Sequence, residues 1–380
     1  MKTSRVAVID TGVNSQWVPE EITFESYIVN DNEICPIKNP EITFPHATSC
    51  YINFRQYVNA NYHLISISVI NEVTRTVSSD CILTALKWCA QNDIDLILMS
   101  LGTRNFQEFP KISSAINAMP NTIIVAACNN NNTITYPACL TNVIGVRHCD
   151  LPNLSEKFAY LPNAYDNIDV LTCVPDGSNS MAAPVIAAHI CNYLSDGIKG
   201  IDAIRQKLKE NAIQDNSFAD YNFYRSLLNN WRRINVPIIS LPEHIPGGIN
   251  KVKELMESYI NEGFKAACLS NEWDTSAEHY VFNLSLQNEY LQSRPLQSMD
   301  VPHKDIPLPD LIELYYNYTD PTILFLHMDQ NKAEKLPPSV SPNIFIGEDW
   351  IKADVQSLYD KIAELLNELF SNDKITDIAS

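Results

Sequence analysis

The sequence predicts an α/β fold in two parts: a large domain over residues 1–235 built on a central parallel sheet, and a second, small α/β domain over residues 236–380. Two observations predict it. Short apolar runs alternate with segments of helical periodicity, the order of a parallel sheet with crossover helices. The composition is that of a folded globular chain, 45% hydrophobic with 19% charged residues.

The elements follow in order. Residues 6–9 are apolar and read as a strand ending in Asp10-Thr11-Gly12. A helix is expected after His46. Ile82, Leu86 and Cys89 recur at helical spacing, which predicts a helix over 81–90, and the apolar runs 97–101 and 123–127 on either side of the next loop read as strands. Residues 181–190 read as a helix with Pro184 in its first turns, where a missing N–H is tolerated. Residues 202–214 and 221–231 read as closing helices. A boundary falls near 233–249. Beyond it come a strand at 236–241, a turn at Gly247-Gly248, and a helix with Val252, Leu255, Met256, Tyr259 and Ile260 on one face and Gly263 as its stop. Strands are expected at 264–269, 322–327 and 343–346 and a helix at 308–316. The chain closes with a helix whose Val355, Leu358, Ile362, Leu365 and Leu369 share a face. Residues 271–309 show no periodicity and read as an insertion.

Three short motifs carry chemistry. Asp10 ends a strand in Val-Ile-Asp-Thr-Gly, His46 stands in Pro-His-Ala-Thr-Ser-Cys, and Ser180 stands in Ser-Asn-Ser-Met-Ala-Ala-Pro. Singly each has a plain reading: a strand end, a loop histidine, a helix N-cap. Together, in the order Asp, His, Ser, they resemble the subtilisin-like (subtilase) family of serine peptidases over residues 4–215. Such chemistry needs these residue types. A serine hydroxyl is a poor nucleophile until a histidine takes its proton, and a buried carboxylate fixes the imidazole's tautomer and stabilises the imidazolium.

The resemblance implies more. The run 97–102 is similar to the family's substrate-binding strand, whose Ser100-Leu101-Gly102 would pair with an extended peptide through its main chain. The strand ending in Ala127-Cys128-Asn129 is similar to the one that carries the oxyanion asparagine, so Asn129 is the fourth catalytic candidate, with Ala127 and Cys128 beside the specificity pocket. The pattern also departs from the family. Ala47 and Ser49 replace a glycine and a second histidine, Ser178 and Asn179 replace Gly-Thr before the nucleophile, and Cys128 replaces a glycine. Ser178 puts the local backbone geometry at issue, since glycine alone adopts some turns at no cost. Cys128 and Thr103 imply a narrow pocket that takes a small residue before the cleaved bond. Calcium is common in the family, but none of its calcium loops maps onto this chain. No cofactor or metal ligand set is implied.

The formal charge is −18, and residues 236–380 carry 23 acidic against 10 basic side chains, a net of −13 that leaves −5 for residues 1–235. Such a surface excludes nucleic acid as a ready partner and would steer a basic peptide toward it. The chain opens without an apolar segment of signal length and holds no stretch long enough to cross a membrane, so a cytoplasmic enzyme is expected. Its ten cysteines lack paired zinc spacing and should be free thiols. The expected function is a serine endopeptidase that hydrolyses an extended polypeptide, with maturation of a specific precursor peptide by leader removal as the favoured substrate. General intracellular turnover, a catalytically inactive peptide-binding scaffold, and a transpeptidase that cyclises peptides are the alternatives. Oligomeric state is not legible in the sequence. In the acidic domain, the strand, Gly-Gly turn and helix resemble a nucleotide-binding unit, but no Gly-Lys-Ser/Thr follows; substrate or partner binding is the expectation there.

Overall fold

In the computed structural model, the described residues are 3–30, 33–38, 45–71, 76–151, 154, 157–161, 168–213, 225–227, 231–243, 247–270, 281–283 and 307–376. The chain divides into two units, Met1–Asn229 and Asn230–Ser380.

The first unit is laid down on strand β1 (Ser4–Asp10), whose Val6, Ala7, Val8 and Ile9 are all buried. Apolar on both faces, it must lie inside a sheet covered by helices on each side. There follow β2 (Thr23–Asn30), β3 (Glu33–Pro36), helix α1 (His46–Tyr57) and β4 (Tyr62–Ser68). The small antiparallel pair β5 (Ile70–Asn71) and β6 (Thr76–Val77) leads to α2 (Ser79–Ala90), β7 (Leu96–Met99), α3 (Phe109–Asn117) and β8 (Ile123–Ala127). The unit continues with β9 (Ile144–His148), β10 (Phe158–Tyr160), β11 (Val170–Thr172), α4 (Asn179–Ser195) and α5 (Ile201–Asn211). Nine strands form one sheet in the order β10-β11-β9-β8-β7-β1-β4-β2-β3. Every pairing in it is parallel except those of the two edge strands, β10 and β3.

Register sets the site. Ile9 pairs with Met99, and Met99 with Ala126, so Asp10, Ser100 and Ala127 follow in one row at the carboxyl ends of three adjacent parallel strands. Open α/β sheets hold their ligands at that edge. Helix α4 is apolar on nearly all sides, with Ala182, Ala183, Ile186, Ala187, Ala188 and Ile190 buried. It packs on α1 and on β7, β8 and β9, and its N-terminus meets the same edge.

Pro184 was expected in the first turns of α4 but stands at its sixth residue. There a proline cannot donate to the carbonyl four residues back, which is that of Ser180. The helix survives because other groups take that carbonyl: Ser100 Oγ donates to it at 2.8 Å and the Cys50 thiol at 3.6 Å. The closing helix expected at 202–214 is shorter, ending at Asn211. Most of the one expected at 221–231 lies outside the described residues.

The second unit holds β12 (Ile238–Pro242), α6 (Gly248–Asn261), β13 (Ala266–Ser270), β14 (Val281–Asn283), α7 (Leu308–Thr319), β15 (Ile323–Met328), the short α8 (Gln330–Ala333), β16 (Ile344–Phe345) and α9 (Val355–Thr376). Its five strands are parallel in the order β14-β13-β15-β12-β16. The apolar face expected of α6 is buried at Val252, Leu255, Met256, Tyr259 and Ile260. Nearly all of the expected insertion at 271–309 lies outside the described residues.

Candidate active site

Asp10 ends β1 with its carboxylate 1% exposed, held by the Thr11 N–H at 2.6 Å. The loop that follows is fastened on two sides. Val13 N–H donates to Ser66 Oγ, Ser68 Oγ donates to the Thr11 carbonyl, and Asn14 N–H donates to Thr48 Oγ1 on α1. Ala47 N–H in turn donates to Thr11 Oγ1. His46, the first residue of α1, is thereby set against Asp10, and its Nδ1 lies 2.8 and 3.0 Å from the two carboxylate oxygens. The hydrogen bond the ring donates to Asp10, aided by one to Cys50, pushes the imidazole up to about 10 against the opposing effect of burial. Ala47 is fully buried, so the methyl that replaces the family's glycine is absorbed by the core.

Ser180 sits half-buried in the first turn of α4, where the helix dipole is positive. Two side chains of α1 reach it. Cys50 Sγ lies 4.0 Å from His46 Nδ1 and 3.6 Å from the Ser180 carbonyl, and Asn53 Nδ2 donates to the Met181 carbonyl at 2.6 Å. Ser180 Oγ itself lies 3.5 Å from the Ser100 carbonyl. Ser178, not Ser180, is the N-cap. Its φ of −112° and ψ of 144° are ordinary extended backbone, and its side chain accepts from Met181 N–H. The left-handed turn falls one residue earlier, at Gly177 with φ 67°. A serine therefore costs nothing at the place where the sequence raised doubt.

Neither Cys50 nor Asn53 was picked out from the sequence. The legible signal was their placement four and seven residues after His46, on its face of α1. Arg147 was also missed. It is fully buried, with Nε 3.1 Å from Asn132 Oδ1 and Nη2 3.6 Å from Cys128 Sγ.

The expected substrate-binding residues divide. Gly102 is exposed and Leu101 half-buried, but Ser100, Ala127 and Cys128 are buried. Cys128 points into the molecule, with its thiol 3.5 Å from the Thr133 carbonyl, so it does not narrow a pocket as expected. Gly102 has a steric reason: a Cβ there would meet the Tyr136 carbonyl oxygen at 2.5 Å. The next residue, Thr103, exchanges both backbone hydrogen bonds with Tyr136.

Asn129 does not present its amide to the site. Nδ2 donates to the Thr133 carbonyl and Thr133 Oγ1, both at 2.7 Å, and contacts Thr135 Oγ1 at 2.5 Å. The amide is bonded to its own loop, whose Thr133 and Thr135 place acceptors within 2.7 Å of it.

Two clusters bring His, Asp and Cys side chains within metal-binding reach among the described residues: Asp10, His46 and Cys50, and His148, Asp150 and Cys173. Neither fits a metal. His46 Nδ1 is engaged by Asp10. At His148, Val174 N–H donates to Nδ1 at 3.2 Å, which leaves the ring proton on Nε2, donated to Asp150 at 2.7 Å.

Parts of the chain are similar to known proteins. The model described as the subtilase family matches residues 55–169, all inside the first unit. Over those residues the first unit is similar to the subtilase family. Solved structures similar to the chain include a cold adapted subtilisin-like serine proteinase, at 20% identity over 55% of this chain and 81% of that one, with a TM-score of 0.39. A lanthipeptide protease is similar at 13% identity over 53% and 78%, with a TM-score of 0.42. The nisin leader peptidase NisP from Lactococcus lactis is similar at 18% identity over 55% and 82%, with a TM-score of 0.39. No curated protein matches the chain.

Proposed function

We propose that Ser180, His46 and Asp10 form the catalytic triad and cut a peptide bond within an extended polypeptide segment. One observation carries the reading: the Asp10–His46 hydrogen bond stands at the carboxyl edge of the sheet, on the helix whose Cys50 and Asn53 hold the Ser180 turn. Ser180 Oγ adds to the scissile carbonyl carbon while His46 takes its proton, and the carbonyl's π pair moves onto oxygen. Asp10 stabilises the imidazolium so formed. His46 then returns the proton to the leaving amine, and water releases the acyl group by the same steps in reverse order.

The substrate is a dedicated precursor peptide from which a leader is removed. A second α/β unit on the same chain gives recognition a surface of its own, and the exposed Gly102 follows β7, the strand expected to pair with a substrate main chain. All ten cysteines are free thiols, which supports work in a reducing, cytoplasmic compartment. Among the described residues no helix is long and apolar enough to cross a membrane. The competing scaffold reading rests on the changes at Ala47, Ser178 and Asn179, and the first two are accommodated without strain.

The test is labelling of the purified protein with a fluorophosphonate probe, followed by mass spectrometry, with Ser180→Ala as control. Adduct on Ser180 that vanishes in the variant is the expected result. A folded protein that takes no probe would overturn the enzymatic reading. Similar cutting rates across a broad panel of unrelated peptides would overturn the dedicated-precursor reading alone.

A further inference from the structure

In the first turn of α4 the carbonyl of Ser180 has lost its ordinary partner. A helix satisfies a carbonyl with the N–H four residues on, and at that place stands Pro184, which has none. A carbonyl so left needs a donor from elsewhere. Two side chains supply one: Ser100 Oγ, just after β7, at 2.8 Å, and Cys50 Sγ, on α1, at 3.6 Å.

Cys50 has a second neighbour among the reacting residues. It stands one turn after His46 on the same face of α1, and its Sγ lies 4.0 Å from His46 Nδ1. The directions of these bonds follow from the hydrogens at hand. Burial holds the thiol above its ordinary range, so it keeps its proton. That single hydrogen goes to the Ser180 carbonyl, which can only accept. Nδ1 directs its ring hydrogen at the Asp10 carboxylate, 2.8 and 3.0 Å away, and reaches the sulfur as a second, weaker acceptor. The fully buried thiol is thus a donor to one reacting residue and an acceptor from the other.

We propose that Cys50 is a positioning residue of the reaction, whose thiol ties the His46 imidazole to the turn that carries Ser180. The assignment rests on the peptidase reading above. Asp10 orients the ring from β1 and Ser100 holds the Ser180 carbonyl from the end of β7, while Cys50 touches both ring and carbonyl. When the ring takes the Ser180 proton, its Nδ1–H becomes a stronger donor, and the sulfur beside it helps to stabilise the imidazolium. Through the same step the S–H keeps the Ser180 carbonyl, and with it the attacking Oγ, in place. A side chain that only filled the space between α1 and α4 would do neither.

The experiment follows fluorophosphonate labelling of the full chain against probe concentration and pH, together with urea unfolding, for the native protein, C50A, C50V, C50S and S180A. C50A removes the thiol, and C50V puts an apolar group in its place without leaving a cavity. Both should lower the maximal labelling rate by about tenfold, the share of one ordinary hydrogen bond. Half-saturation should stay within about threefold, because the buried thiol does not reach the probe. Of the titratable groups facing the ring, Asp10 from β1 stays and Cys50 from α1 is lost, so the rising limb of the pH profile should move to lower pH in both variants. C50S keeps a donor and an acceptor at that position and should recover the rate to within about threefold of native, with its limb. Native rate in C50V, or a limb that stays in place in both apolar variants, would make Cys50 a packing residue and overturn the assignment. So would a C50S protein no nearer to native than C50A; each of these leaves the peptidase reading standing, with S180A inert to the probe. Native protein that folds and takes no probe would overturn that reading and this assignment with it. Should C50V overpack the site and fail to fold, C50A against C50S decides.

Discussion

Asp10 and His46 share the hydrogen bond that sets the charge of the imidazole at rest. Because the bond favours the protonated ring, His46 is held up to about 10 from its ordinary 6.5. The sign follows directly. The bond adds to folding stability in full below 6.5, and that share is lost as pH rises through about 10. Base catalysis runs the other way, since only the neutral ring accepts the Ser180 proton. The labelling rate at Ser180 should therefore climb with pH from neutrality toward about 10. Asp10→Asn should shift that limb toward lower pH and cut the rate by roughly 10⁴-fold, because the imidazole loses its tautomer and its counter-charge. A pH profile of probe labelling for both proteins checks both effects. An unchanged limb in the variant would mean that Asp10 does not set the histidine's charge.

At the scale of the element, α4 carries Ser180, the proposed nucleophile, and depends on its start. Ser178 caps it through Met181 N–H, and Ser178→Ala should cost about 1 kcal/mol in urea unfolding while Ser180 still takes the probe. Helix α5 is fastened by a buried pair, Arg205 and Asp169, 3.5 Å apart at 4% and 0% side-chain exposure. Arg205 also donates to the carbonyls of Thr141 and Val143, and Asp169 accepts from Gly145 N–H on β9. Arg205→Ala leaves the carboxylate buried without its cation, which costs roughly 3–5 kcal/mol. Chemical denaturation should show a loss of that size, well above the Ser178→Ala effect. Equal losses would mean that Asp169 finds a replacement partner.

At the scale of the whole molecule, the −18 charge acts on encounter and not on the fold. A lysine-rich peptide should be cut with a second-order rate that falls as salt rises, while a neutral peptide of similar cut site should change little. Stopped-flow cleavage of both across a salt series is the measurement. The same slope for both would exclude steering by the acidic surface.

The class of fold and the identities of the candidate triad were legible because they depend on local signals. The buried strand ending in Asp10, the helix opening at His46 and the small-residue helix after Ser180 each announce themselves within a few residues. Periodicity located α2 and α6 for the same reason, since burial of one helix face imposes spacing on the sequence. What lay beyond the sequence was every choice among competing partners. Cys128 and Asn129 bond within the protein because Thr133, Thr135 and Arg147, brought together by the loop and by β9, place partners within reach of them. Pro184 is tolerated beyond the first turn because Ser100 and Cys50, from a distant strand end and helix, take the carbonyl it orphans. The sequence by itself determined which residue types stand at the sheet's carboxyl edge. Only the tertiary structure decided which of their hydrogen-bonding groups remain for a substrate, because satisfaction of a polar group depends on what the fold places within 3 Å of it.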